Sequence, residues 1–344
     1  MSTAQPPSPT RPGPYDALLL VSFGGPEEPA EVLPFLRRVT AGRGVPDERL
    51  AQVAKRYELF GGVSPINTQN RELLAALREV VDLPVYWGNR NSAPWLADVV
   101  GEMARDGVRN ALAFVTSAYG SYSGCRQYRE DLEAARAAVG PTAPALHKLR
   151  AFYNHPLFIE PFAEQVRRAL AELPAASRAE AALVFTAHSI PAAAAAAAPY
   201  VPQLRETARL VAEAVGVDRS WTLCWQSRSG SPQEPWLEPD VGSVLRSHAG
   251  DRRAAVVVPI GFVSDHMEVR YDLDTVAIPD AHALGLAVVR AGTPGVALAP
   301  LVAALVAERQ TGRSGAGRCD RQFLGNRGPA HDGCPTGCCL AARG

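Results

Sequence analysis

Short apolar runs recur along the chain at 17–23, 85–88, 110–116, 182–186, 221–225, 254–260 and 287–291, and each predicts a strand. Between them apolar positions return every three or four residues, as in 47–59, 70–81, 95–105, 126–139, 157–173 and 202–215, which predicts amphipathic helices. Strands that are apolar throughout, instead of alternating with polar residues, belong to parallel sheets covered on both faces. The fold class is therefore α/β, doubly wound. In such sheets functional loops gather beyond the carboxyl ends of the strands. The segments found there are Gly24-Gly25-Pro26, 117–124, His188-Ser189-Ile190-Pro191 and 261–268, so four polar loops are expected on one side.

The strand and helix alternation divides near residue 150 into two halves, 15–150 and 151–309. Residues 1–14 are rich in Pro and polar side chains and lack the apolar region of a signal peptide, so a disordered lead-in is expected. The alanine run 192–198, between Pro191 and Pro199, reads as a helix turn or loop filler. From 310 to 344 the chain has almost no apolar periodicity and is expected to be disordered unless a metal pins it.

Composition narrows the function classes. With 344 residues, 47% of them hydrophobic, the chain can bury a large core. Thirty-five basic residues balance thirty-five acidic ones, so no overall field draws it to nucleic acid or to an anionic membrane. The longest apolar stretches, 254–263 and 296–306, fall short of the roughly 18 residues of a membrane span, and a cytoplasmic protein is expected. In a reducing compartment its 6 cysteines would be free or metal-bound. Four of them, Cys319, Cys334, Cys338 and Cys339, crowd the C-terminal tail.

Two segments carry candidate chemistry. His188 closes an apolar strand, and Gly261–Asp272 follows another strand and bunches Asp265, His266, Glu268 and Asp272. Each has a plain structural alternative: a satisfied histidine at a strand end, and a helix start with Asp265 as N-cap and Glu268 as its capping-box partner. No G-x-G-x-x-G stands near Gly24 and Gly25, so a nucleotide site is not supported.

Five motifs, taken in order, resemble the ferrochelatase family: Leu19-Leu20-Val21-Ser22-Phe23-Gly24-Gly25-Pro26, Gly61-Gly62-Val63-Ser64-Pro65-Ile66, 185–191, Trp225-Gln226-Ser227 with Pro235-Trp236-Leu237, and 259–274. The resemblance covers about residues 15 to 310. It implies a lyase of haem biosynthesis with two Rossmann-like domains, each built on a parallel four-stranded sheet, and a porphyrin in the cleft between them. His188 and Glu268 would face the ring nitrogens, binding Fe²⁺ and accepting the two pyrrole protons that insertion releases. Neutral imidazole, with an ordinary pKa of about 6.5, suits both roles. Nitrogen and oxygen ligands suit ferrous iron without excluding Zn²⁺ or Co²⁺.

By the same resemblance Arg56, Tyr57, Ser64 and Tyr128 would contact the substrate; Arg43, in the basic loop 37–43, would pair with a carboxylate or lie on the surface. Asp272 and Asp274 would guide metal inward, or be solvated helix charges. Phe23 stands where some relatives have a tyrosine, which removes an axial oxygen ligand. The Ala-, Arg- and Gly-rich composition suits an actinobacterium-like source, for which coproporphyrin III is the expected substrate and protoporphyrin IX the alternative. A downstream coprohaem decarboxylase and a monomeric state are implied as well.

Cluster-bearing members of the family carry an isolated internal cysteine where this chain has Cys125. The resemblance extends this to a [2Fe–2S] cluster on Cys125, Cys319, Cys334 and Cys339, with Cys338 left out. A structural Cys₄ zinc site is the alternative. Cys224, inside a strand, reads as a small buried hydrophobe. Two other functions remain in view: another tetrapyrrole metal chelatase, or a non-catalytic haem or porphyrin carrier, which would need no proton acceptor beside a carboxylate.

Overall fold

The computed structural model describes residues 15–42, 44–216, 220–229, 233–251, 254–314, 321–335 and 337–341. Arg43 and Cys319 lie outside the described residues. Strands β1 (Ala17–Ser22), β2 (Val85–Asn89), β3 (Asn110–Val115) and β4 (Ala145–Lys148) form a sheet of order β2-β1-β3-β4. A second sheet has the order β6-β5-β7-β8, from β5 (Ala182–His188), β6 (Trp221–Gln226), β7 (Ala254–Val258) and β8 (Ala287–Arg290). Every pairing is parallel. The α/β class with two four-stranded sheets agrees with the sequence pattern.

Period-two alternation sends successive residues of each strand to opposite faces. Leu18, Leu20, Leu112 and Phe114 of the first sheet face the same core as Leu183, Phe185, Val256 and Val258 of the second. Between the sheets, that core is filled by Leu73 and Leu77 of helix Ile66–Val80, by Phe158, Phe162 and Val166 of helix Pro156–Glu172, and by Leu301, Val302 and Leu305 of helix Ala299–Ser314. The outer faces have their own clusters. Leu19, Val21 and Ala113 meet Val100 and Met103 on one side, and Val184 and Val257 meet Leu245, Val269 and Leu273 on the other. The two halves thus share one large interior, and each has a smaller outer cluster of its own.

A fourth cluster joins the halves at the site. Helices Pro29–Val39 and Asp47–Glu58 bring Phe35, Leu36, Leu50 and Tyr57 against Met267 of the C-terminal half, with Phe23 and Tyr271 at its edge. Acidic Asp47 and Glu48 in the first turn of the second helix, and basic Lys55 and Arg56 in its last, complement the helix dipole.

Three departures from the sequence pattern have physical causes. β4 (ALHK) is a half-buried, four-residue edge strand, too short and too mixed to register as an apolar run. Helix Ala299–Ser314 continues past residue 310, where loss of periodicity was expected. The tail beyond it is fastened by side chains of the body. Arg150 donates to the Gln322 carbonyl at 2.9 Å, Asn154 to the Leu324 and Gly328 carbonyls at 3.2 and 2.9 Å, and Arg126 to the Cys338 carbonyl at 3.2 Å. Its order therefore does not depend on thiols alone. Arg150 is itself buried and doubly paired with Glu308, at 2.8 Å for both bonds. Among the described residues no helix is long and apolar enough to cross a membrane.

Candidate active site

β5 ends in His188, and its neighbour β7 leads through Gly261 into the segment that carries Glu268. Gly261 makes that passage possible. Its N–H donates to the Thr186 carbonyl at 3.0 Å, and a Cβ there would stand 2.5 Å from the Cβ of Ala187, closer than packed atoms approach. The close crossing brings the two side chains together, with His188 Nε2 3.7 Å from Glu268 Oε2. They keep 30% and 48% of their side-chain surface, enough for a ligand to reach both.

The imidazole is oriented by its other nitrogen. Nδ1 lies 2.5 Å from the Ser189 carbonyl, which can only accept, so Nδ1 carries the proton and Nε2 points its lone pair toward Glu268. Surrounding protein disfavours the imidazolium, but the charge and hydrogen bond of Glu268, the Ser189 carbonyl and the charge of Asp272 outweigh that loss and raise the His188 pKa above 6.5. For Glu268 the order is similar. Desolvation pushes it up, and His188, His266 and Arg56 together pull it down to about 2. The carboxylate stays ionised, and the imidazole is the group that titrates.

The Glu268 segment is held on all sides. His266 Nδ1 accepts the Glu268 N–H at 3.2 Å, so His266 is the N-cap in place of the Asp265 expected from the capping box. Asp265 is engaged elsewhere. Its backbone N–H and carbonyl both bond the Gln69 carboxamide, at 2.9 and 3.2 Å, and its carboxylate pairs with Arg290 at 2.9 Å. Gln226 Nε2 donates to the Glu268 carbonyl at 3.4 Å, while its buried Oε1 has no partner among the described residues.

After a three-residue helix, Met267–Val269, the chain continues as a π-helix, Arg270–Ala277. Asp272 accepts a hydrogen bond from Ser227, whose φ of 61° lies in the left-handed region, and burial raises the Asp272 pKa despite that bond. Asp274 turns away into an ion pair with Arg290 at 2.6 Å. The two aspartates thus have different surroundings.

The N-terminal half supplies the facing wall. The Arg56 guanidinium lies 4.6 Å from the centre of the Tyr271 ring, and its charge acts on both Glu268 and Asp272. Tyr57 is buried beside Met267, and burial together with the Glu268 charge raises its hydroxyl pKa. Ser64 is buried against Gly25, and Tyr128 is buried under Arg90, whose guanidinium is 4.4 Å from its ring centre. Phe23 is half-buried, edge-on to Phe35 at 6.1 Å. Gly24 and Gly25 serve close packing: Gly25 donates to Ser92 Oγ at 3.0 Å and accepts from Asn67 at 3.1 Å. Tyr119 OH bonds the Ile260 carbonyl at 2.8 Å, tying the loop after β3 to the end of β7.

The cysteines gather at a separate place. Cys125 and Cys334 are hydrogen-bonded, Cys334 also contacts Cys338, and the thiols of Cys338 and Cys339 are 3.5 Å apart. The hydrogen bond to Cys334 and burial raise the pKa of Cys125 despite the charge of nearby Lys148, and the same hydrogen bond lowers that of Cys334. Cys338, left out of the expected cluster because it adjoins Cys339, is therefore among the thiols that meet. Among the described residues no group of three or more His, Cys, Asp or Glu side chains has the arrangement of a formed metal site. Cys224 is fully buried and donates weakly to the Phe185 carbonyl. Gln69, Gln226, Ser227 and Arg290 are the site residues that sequence reasoning missed. Only the Trp225-Gln226-Ser227 motif had flagged any of them, and without a role.

Comparison with known proteins agrees with this geometry. The family model described as ferrochelatase matches residues 15–309. A coproporphyrin III ferrochelatase of Streptomyces griseus is 51% identical, across 96% of this chain and 94% of its own. One from Nocardia farcinica is 58% identical, over 81% of this chain and 83% of the relative. A ferrochelatase of Rhodopirellula baltica is 48% identical over 95% and 94%. Among solved structures, SirB of Bacillus subtilis with Fe³⁺ superposes with a TM-score of 0.53 at 12% identity, covering 89% of this chain and 100% of that one, a likeness of fold.

Proposed function

The chain belongs to the ferrochelatase family, and from that premise we propose that it is a lyase of haem biosynthesis that inserts ferrous iron into coproporphyrin III, with protoporphyrin IX as a poorer substrate. The observation that carries the reading is the accessible His188–Glu268 pair, with Nδ1 tied to a carbonyl and Nε2 facing Glu268.

Insertion exchanges two pyrrole protons for one Fe²⁺. Nε2 of His188 accepts a proton from the ring and passes it on, and its lone pair can also take the incoming iron. Glu268, ionised down to about pH 2, offers oxygen to the metal and balances the imidazolium. Because a protonated imidazole can neither accept a proton nor bind metal, activity falls as pH drops through the raised pKa of His188. In this reading the lobes 15–150 and 151–309 close on the porphyrin. Arg56, Tyr57, Ser64 and Phe23 line its place, Tyr128 supports it from beneath Arg90, and Asp272 is the next acidic step outward.

The tail 310–344 is proposed to carry a [2Fe–2S] cluster with Cys125, Cys334 and Cys339 as ligands and Cys319 as the fourth. The meeting of Cys125, Cys334, Cys338 and Cys339 supports a metal-binding role and makes Cys338 the competitor for the fourth place. Such a group would add thiolate-bound iron and a cross-link between tail and body. Visible absorbance and iron content of the Cys319→Ser and Cys338→Ser proteins decide between them. Loss of colour in the first alone supports Cys319, and loss in the second alone replaces it with Cys338. A cytoplasmic monomer that hands its product to a coprohaem decarboxylase completes the reading.

The test is anaerobic Fe²⁺ insertion followed by absorbance, with both porphyrins, for the wild type and His188→Ala. Faster turnover of coproporphyrin III, lowered about 10²–10⁴-fold by the substitution, is expected. Binding without insertion by the wild type overturns the enzyme reading.

A further inference from the structure

We propose that Arg290 is a positioning residue for metal insertion, a clamp that fixes where Glu268 stands relative to His188; this rests on the function proposed above. Arg290 ends β8, outside the segment that does the chemistry, and its side chain is 16% exposed. Its guanidinium bridges two carboxylates that bracket Glu268. Nη1 is 2.9 Å from Asp265 Oδ1, Nε is 2.6 Å from Asp274 Oδ1, and Nη2 is 3.2 Å from Asp274 Oδ2. One planar fork thus holds both ends of residues 265–274, a geometry that lysine's single ammonium cannot reproduce.

The segment has reason to need holding. Glu268 sits in a helix of three residues, and the turn after it is π-helical, a rare arrangement found mostly as single turns. Among the described residues the Glu268 carboxylate itself pairs with His188 alone, so its position is inherited from the backbone. That backbone is set at one end by Gln69 and Arg290 acting on Asp265, and at the other by Arg290 acting on Asp274. The clamp also occupies Asp274, which leaves Asp272, hydrogen-bonded to Ser227, as the acidic group beside the pair. Arg290 touches neither His188 nor Glu268, so it acts through the segment and takes no proton or metal itself.

The test uses the full-length protein and its Arg290→Gln, Arg290→Lys and Asp274→Asn variants, with KM for Fe²⁺ and Zn²⁺, KM for coproporphyrin III, kcat, and amide hydrogen exchange over 265–274. Losing the bridge is expected to raise KM for the metal or lower kcat about tenfold or more in Arg290→Gln, on the scale of a lost charge-assisted contact. KM for the porphyrin should stay within twofold and exchange over the segment should quicken. Arg290→Lys should recover part of the loss, and Asp274→Asn should show a smaller change in the same sense. A folded Arg290→Gln protein with wild-type kinetics and exchange overturns the clamp. Should that variant not fold, wild-type kinetics and exchange in Asp274→Asn do so. A wild type that inserts no metal overturns the function instead, and the exchange data then judge the clamp alone.

Discussion

The two sheets are wired alike, with orders β2-β1-β3-β4 and β6-β5-β7-β8, yet they contribute differently at their corresponding ends. β1 ends in Ser22, followed by Phe23, Gly24 and Gly25, and the loop is filled by Ser92, Asn67 and Ser64 until no reactive group is left in it. β5 ends in His188, and the neighbouring β7 delivers Glu268. The same connection yields a packed shelf in one half and an ionisable pair in the other. Topology selects the edge at which chemistry is possible, and the residue at the strand end decides whether any occurs.

The sharpest way to break that contrast, beyond removing His188, is Glu268→Gln. It takes away the charge that outweighs desolvation of His188, so the acid limb of whatever activity survives should move to lower pH, with a rate loss of about ten- to a hundredfold from one lost charged contact. Stability should respond to pH as well. His188 has a folded pKa above 6.5, so its share is fully present below 6.5 and lost as pH rises through the raised value; Glu268 has a depressed one, so its share is present above 4.5 and lost as pH falls toward about 2. Thermal melts should therefore show the variant destabilised more at pH 5.5 than at pH 9. Equal losses at both would mean that the pair is not coupled.

A finer test compares glycines. In Gly261→Ala the new Cβ meets Ala187 at 2.5 Å, and in Gly25→Ala it meets Ser64 at 2.6 Å. Each overpacks its loop at a cost of about 1–3 kcal/mol. The first should lower kcat, because Gly261 guides the chain from β7 to Glu268, whereas the second, pressing on Ser64, should act on KM for the porphyrin. A rate loss of the same size in both would show that the shelf, too, positions reacting groups.

Much of this was legible in the sequence, for reasons tied to particular residues. Leu18, Leu20, Leu183 and Val256 lie in strands buried on both faces, and burial on both faces writes a continuous apolar run. His188, closing one such run, and Glu268, in the segment after another, each had a plain structural alternative, and the resemblance of the five ordered motifs singled them out. β4 was not legible, since Ala145–Lys148 is only four residues long and half-buried throughout. The roles of Gln69 and Arg290 were not legible either. Gln69 meets Asp265 across 196 residues of chain, and no local pattern records a contact of that span. The meeting of Cys338 with the other thiols likewise follows from how Arg126 and Asn154 seat the tail, and not from spacing.

The shared interior also orders events in time. Helix Ala299–Ser314 lies against helix Ile66–Val80, and its Leu301, Val302 and Leu305 complete the cover over Leu73 and Leu77. A ribosome makes Ile66–Val80 long before it makes the helix that shelters it. The first sheet therefore emerges with one flank bare and waits through the synthesis of most of the chain, when exposed apolar surface is most open to chaperones and to misassembly.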